Sequence, residues 1–159
     1  MDAIELLLHQ FDNNLKHPWE SLESLLKNVT ADEASWQAPC YAQEELQQNG
    51  PPPGTILWQL NHLSGCNRHY VEVLRNRPEK DFPEAAPGSP LTTFSAALEE
   101  LRASHAALRA EVSKVKAGEL KDACGHGSRN VADFIAGCLR HEIWHAGSMV
   151  LIRRLYRAK

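Results

Sequence analysis

The chain has 159 residues, 17 of them basic and 20 acidic, and a net charge of -3. That length suits one domain, residues 1–159, with its own apolar core, and the acidic balance lacks the basic footprint that phosphate binding requires, which argues against nucleic acid as a partner. The four cysteines, Cys40, Cys66, Cys124 and Cys138, form no C-x-x-C pair and no export signal precedes them. The expectation is therefore reduced thiols in a cytoplasmic protein, and no stretch is long and apolar enough to cross a bilayer.

From the N-terminus, Ile4, Leu8, Phe11, Leu15, Trp19, Leu22, Leu25 or Leu26, and Val29 recur at steps of three and four, the period of a helix with one buried stripe. Pro18 cannot sit inside such a helix without a kink, which predicts a break near His17 with Trp19 opening the second part. Residues 38–54 (APCYAQEELQQNGPPPG) lack an apolar period, end in three prolines and read as a long loop. Thr55 then suits the N-cap of a second helix, TILWQLNHLSGCNRHYVEVLRN, which stops before Pro78.

After a second loop, RPEKDFPEAAPGSP, a third helix is expected to start at Thr92 or Thr93 and to run to Gly118. A Gly-rich connection, ACGHG, leads to Ser128 as the expected cap of a last helix over 129–158. Strand-like alternation is absent throughout. Four amphipathic segments joined by loops predict an all-α protein, a four-helix bundle.

The last helix carries H-E-x-x-H as His141-Glu142-Ile143-Trp144-His145, the letters of a zinc metalloprotease, in which two histidines one turn apart hold the metal and the glutamate activates water. A protease would need a third ligand downstream. Ser148 and Leu151 stand where the extended motif has glycine and histidine, no acidic residue follows Glu142, and no strands are at hand to present a peptide. A third donor must come from upstream.

On a helical wheel His141 and His145 share a face with Phe134, Cys138, Ser148, Ile152 and Leu155, which is the expected core face. In the second helix His62 lines up with Trp58, Cys66, His69 and Val73. Any one buried histidine is ordinarily a hydrogen-bonded core residue. Several imidazoles facing one core without partners would cost a few kcal/mol each, on the order of the desolvation penalty of a polar group, whereas a metal satisfies them together.

The phrases TILWQLNHL and HEIWHAGSM, about eighty residues apart, together with PWESLESLLKNVTADEASWQAP near the start, resemble the signatures of the DinB/YfiT-like superfamily. That resemblance implies a four-helix bundle in which His62, His141 and His145 bind a divalent metal. The family often continues the pair as H-x-G-Q, and Ser148 stands here in place of the glutamine. It also implies enzymes that move low-molecular-weight thiols onto small electrophiles, such as bacillithiol or mycothiol S-transferases, and pairing into homodimers.

Three neutral imidazoles leave open coordination positions, as in catalytic zinc sites. Zinc or nickel leads the expectation, with manganese and iron also able to accept nitrogen donors. The functional expectation is a metal-dependent thiol S-transferase or hydrolase, and the rival is a non-catalytic metal-binding or stress-related bundle acting through a partner. Glu142 is the candidate catalytic base, with a solvent-facing or ion-paired role as its alternative. His69 is a candidate fourth ligand or proton carrier, or a plain core residue. Cys66 and Cys138 read as small core residues near the ligand faces, Trp58 and Trp144 as packing beside the site, and Cys40, Cys124 and His126 as parts of surface connections. His9, His17 and His105 carry no motif.

Overall fold

The computed structural model describes residues 2–39, 50–77, 90–125 and 129–159. Among them are six α-helices: α1 (Ala3–Lys16), α2 (Leu22–Leu26), α3 (Ala31–Ser35), α4 (Ile56–Asn76), α5 (Phe94–Val112) and α6 (Val131–Arg157), with a 3-10 turn at Ala117–Lys121. The described residues form no β-strand, only a single bridge between Ala123 and Asn130, just before α6. The protein is all-α, as its sequence predicts. No described helix is long and apolar enough to cross a membrane.

Local chemistry sets the helix starts. Asp2 and Glu5 form a reciprocal capping box at α1, and the Thr55, Thr93 and Asn130 side chains each accept from the third backbone N–H of α4, α5 and α6, satisfying donors that a helix end leaves orphaned. Thr55 and Thr93 therefore act as predicted, whereas α6 is capped by Asn130 and not by Ser128, which lies outside the described residues along with Cys40 and His126. The third helix stops at Val112, short of Gly118, because Lys116 turns to extended backbone and the chain re-enters a 3-10 turn.

The break at Pro18 is real, but Trp19 does not open a helix. It is 83 % exposed in an irregular segment. The apolar stripe beyond it is divided between α2 and α3, capped by Ser21 and Thr30 and separated by Asn28 at a left-handed φ of 62°, a conformation asparagine tolerates better than most residues. Arg153 of α6 fixes this segment by donating to Glu33 Oε1 at 2.9 Å and to the carbonyls of Leu25 and Lys27.

The four long helices meet in a cyclic order, α1 to α5 to α4 to α6 and back to α1, which is compatible with a four-helix bundle. Cross-helix pairs fix their directions. Arg68–Glu100 and Arg75–Glu111 advance together along α4 and α5, so these helices are parallel, while Gln59–His145 and His62–His141 set α6 antiparallel to α4.

The core has two apolar halves. One gathers Phe11, Val71, Leu74, Leu108, Val112, Phe134 and Ile135, and the other Leu15, Leu60, Leu63, Leu101, Met149 and Ile152. Between them every long helix contributes polar groups: Asn14 from α1, Ser64 and Asn67 from α4, Ser104 and His105 from α5, and Glu142 and His145 from α6. Leu155, assigned by the wheel to the core face, is exposed instead, and Glu142 and Met149 take up core positions.

Phe11 is fully buried and stacks edge-on against His105 at 5.6 Å, at the seam between the apolar half and the polar layer. Phe11→Ala is expected to lower the unfolding free energy by about 3–5 kcal/mol, measured by denaturant titration; a loss under about 1 kcal/mol would mean the seam repacks freely.

Candidate metal centre

Three imidazoles converge where α4 faces α6. His141 Nε2 lies 3.3 Å from His62 Nε2 and 3.0 Å from His145 Nε2, and Cys66 Sγ lies 3.6 Å from His62 Nε2. Helical spacing does this work: His62 and Cys66 are one turn apart on α4, and His141 and His145 one turn apart on α6. The ligand atoms of His62, Cys66 and His141 all fall within 4.8 Å of one another, a grouping able to hold a metal ion.

Neighbouring side chains orient the rings. His145 Nδ1 donates a short hydrogen bond to Gln59 Oε1; because an amide oxygen can only accept, the proton sits on Nδ1 and Nε2 presents its lone pair to the cluster. His141 Nδ1 is 3.3 Å from the Tyr70 hydroxyl, a group that can donate or accept and so serves either tautomer of His141. Trp58 stacks flat on His62, with ring centroids 4.9 Å apart and planes 6° from parallel.

Burial holds all three histidines neutral. Desolvation lowers the pKa of His62 and His141, and it pushes His145 down to about 3, helped by the neighbouring His141 and His62. Neutral imidazole is the metal-binding form. Burial also raises the Tyr70 hydroxyl, with Cys66 and Cys138 adding to the effect, so it stays protonated.

Glu142 faces elsewhere. Its side chain is 1 % exposed, its Oε1 accepts from His105 Nδ1 at 2.7 Å, and its Oε2 accepts from Asn14 Nδ2 at 3.3 Å. The carboxylate is thus turned toward α1 and α5. His69 is not drawn into the cluster; its ring approaches Tyr70 at 6.1 Å. Cys138 is buried in the apolar half that holds Phe134, and desolvation raises its thiol well above the usual range. His9 and His17 lie at the surface or near it, the first 3.2 Å from Asn13 Nδ2 and the second accepting from the backbone N–H groups of Trp19 and Glu20.

Sequence reasoning passed over Gln59, Tyr70 and His105. The first precedes His62 by three positions and the second follows it by eight, so both lay within reach of a wheel. His105 shares a stripe with Leu101, Leu108 and Val112, which marks a buried face, but nothing local names Glu142 as its partner 37 positions away.

Beside the cluster is a cavity of about 390 Å³ lined by Tyr70, Arg129, Phe134, Arg140, His141 and Trp144, among others. Neither arginine has a carboxylate partner among the described residues. Trp144 is 73 % exposed at its rim.

Residues 14–149 match a protein family described as the DinB superfamily. No curated protein and no solved structure is matched by the chain.

The lowered histidine pKa values carry a stability consequence whose sign is fixed. The unfolded chain takes up protons near the ordinary histidine pKa of about 6.5, while the folded metal-free protein resists them, so stability falls as pH drops below that value and continues falling toward the folded pKa values. Thermal midpoints of chelator-treated protein are expected to decline steadily from pH 7 to pH 5, and a flat profile would show that these rings protonate freely in the fold.

Proposed function

The chain belongs to the DinB superfamily, and from that premise we propose that it is a divalent-metal-dependent enzyme, of thiol S-transferase or hydrolase type, with His62, His141 and His145 as ligands. The observation that carries this reading is the convergence of three neutral imidazole nitrogens at 3.0 and 3.3 Å from two antiparallel helices. Without a proton or a cation between them, lone pairs at such separations repel. One metal ion satisfies all three, so the donor set fits the group the family implies.

When bound, a zinc or nickel ion supplies Lewis acidity that lowers the pKa of a water or thiol ligand. The protein's own residues do the rest. Gln59 holds His145 with Nε2 facing the cluster, Tyr70 sets the ring of His141 through Nδ1, and Trp58 fixes the plane of His62. The cavity next to His141 admits a small molecule, and Arg129 and Arg140 give it a positive edge suited to a thiol or electrophile that carries a carboxylate. For Glu142 the geometry supports a positioning role, anchoring the turn that bears His141 to His105 and Asn14.

One observation favours the rival, a non-catalytic metal-binding bundle that works through a partner. Ile143, Trp144 and Leu151 leave apolar surface open along α6, at 59 %, 73 % and 47 % exposure, and a second copy of the chain is the simplest occupant of such a face. Turnover of any thiol–electrophile pair by metal-loaded protein separates the two readings.

Elemental analysis of untagged protein is expected to find about one divalent metal per chain, lost from a His62→Ala/His145→Ala variant that keeps its helical circular dichroism. Absence of metal after incubation with zinc, nickel or manganese would end the enzyme reading. Gln59→Leu, which removes the acceptor for His145 Nδ1, is expected to weaken metal binding roughly 10- to 100-fold in competition with a chromophoric chelator; unchanged affinity would show that Gln59 does not orient the ring.

A further inference from the structure

We infer that Cys66 is a fourth donor to the same metal, so that α4 and α6 each supply an i, i+4 pair, His62 with Cys66 and His141 with His145. The inference rests on the three-histidine reading and narrows it.

The argument begins with edge lengths. Zinc holds imidazole nitrogen at about 2.0–2.1 Å and thiolate sulfur at about 2.3 Å, so a tetrahedral site has N–N edges near roughly 3.3–3.4 Å and N–S edges near roughly 3.5–3.6 Å. The protein presents N–N separations of 3.3 and 3.0 Å and an N–S separation of 3.6 Å. The sulfur edge therefore agrees as well as the nitrogen edges do. Cys66 also groups with His62 and His141 as ligand atoms mutually within 4.8 Å, a grouping that His145 stands outside.

The other cysteine near the ligands offers a contrast. Cys138, one turn before His141, is 2 % exposed and packs among Phe134, Val71 and other apolar residues. It is a core residue. Cys66 is half-buried on the polar side of α4, beside the imidazoles.

Two consequences follow from a thiolate in the set. A Cys donor offsets one charge of the divalent ion and shifts preference toward zinc, away from manganese, which favours harder oxygen-rich surroundings. It also takes the fourth position of a tetrahedral site, so a water or thiol enters by expanding the coordination to five or by displacing Cys66, and the thiol's proton passes to solvent as the metal binds.

Cobalt(II) reports the donor directly. Chelator-stripped wild-type protein titrated with cobalt is expected to show an intense near-ultraviolet sulfur-to-cobalt band together with visible ligand-field bands. Cys66→Ser is expected to lose the near-ultraviolet band while keeping the visible ones, and Cys138→Ser to keep both. As a second readout, zinc is expected to slow alkylation of Cys66 by iodoacetamide by about tenfold or more, followed by peptide mass spectrometry. Visible bands with no near-ultraviolet band in the wild type, or a band that survives in Cys66→Ser, would overturn the fourth donor and leave the three-histidine site standing. Failure of the wild type to bind cobalt at all would overturn both.

Discussion

A layer of polar side chains crosses the middle of an apolar bundle, and the rest of the structure is arranged around satisfying it. Polar groups removed from water without partners cost free energy comparable to a lost hydrogen bond or more. Above and below this layer the helices bury leucine, isoleucine, valine and phenylalanine in two separate clusters. Within it, Asn14, Gln59, His62, His105, His141, Glu142 and His145 are bonded mostly to one another across three helix interfaces. The Asn67 amide and His105 Nε2 remain buried without a hydrogen-bond partner among the described residues. A fold seeking stability alone would fill these positions with hydrocarbon, so the layer marks where the molecule gives up packing stability.

The layer has two halves with different electrostatic logic. Toward α1 and α5 it is a hydrogen-bonded pair, His105 with Glu142, closed to solvent. Toward the cavity it is a cluster of neutral imidazoles whose lone pairs have no positive partner in the chain itself; no lysine or arginine side chain reaches their nitrogens among the described contacts. A neutral, electron-rich cluster beside a cavity is compatible with binding a cation from outside. The tautomer of His145, fixed by Gln59, aims its lone pair inward before anything binds, which lowers the reorganisation needed on metal entry.

Much of this was legible from local sequence because helices repeat. Three- and four-residue spacing gave the long helices, Thr55 and Thr93 marked two of their starts, and the same spacing put His62 and His141 on facing stripes. The segment after Pro18 misled for a physical reason: its apolar residues keep helical period through Val29, yet Ser21 and Thr30 offer the backbone caps, and Asn28 takes a left-handed turn between them. Local hydrogen bonding there wins over periodicity. Partners set by tertiary approach, Gln59 with His145 and His105 with Glu142, left no trace within a window of one helix turn.

The letters H-E-x-x-H illustrate why a motif needs its surroundings. On any helix the glutamate points about 100° away from the first histidine, so what it does depends on what lies on that flank. In a zinc protease the flank faces substrate. Here α6 is set so that His141 looks toward α4, which swings Glu142 into the contact with α1 and α5, where His105 and Asn14 take both oxygens. Moving that carboxylate to the cavity would break two hydrogen bonds and strand His105 in the core. The glutamate that would activate water on one scaffold therefore ties α6 to its neighbours on this one.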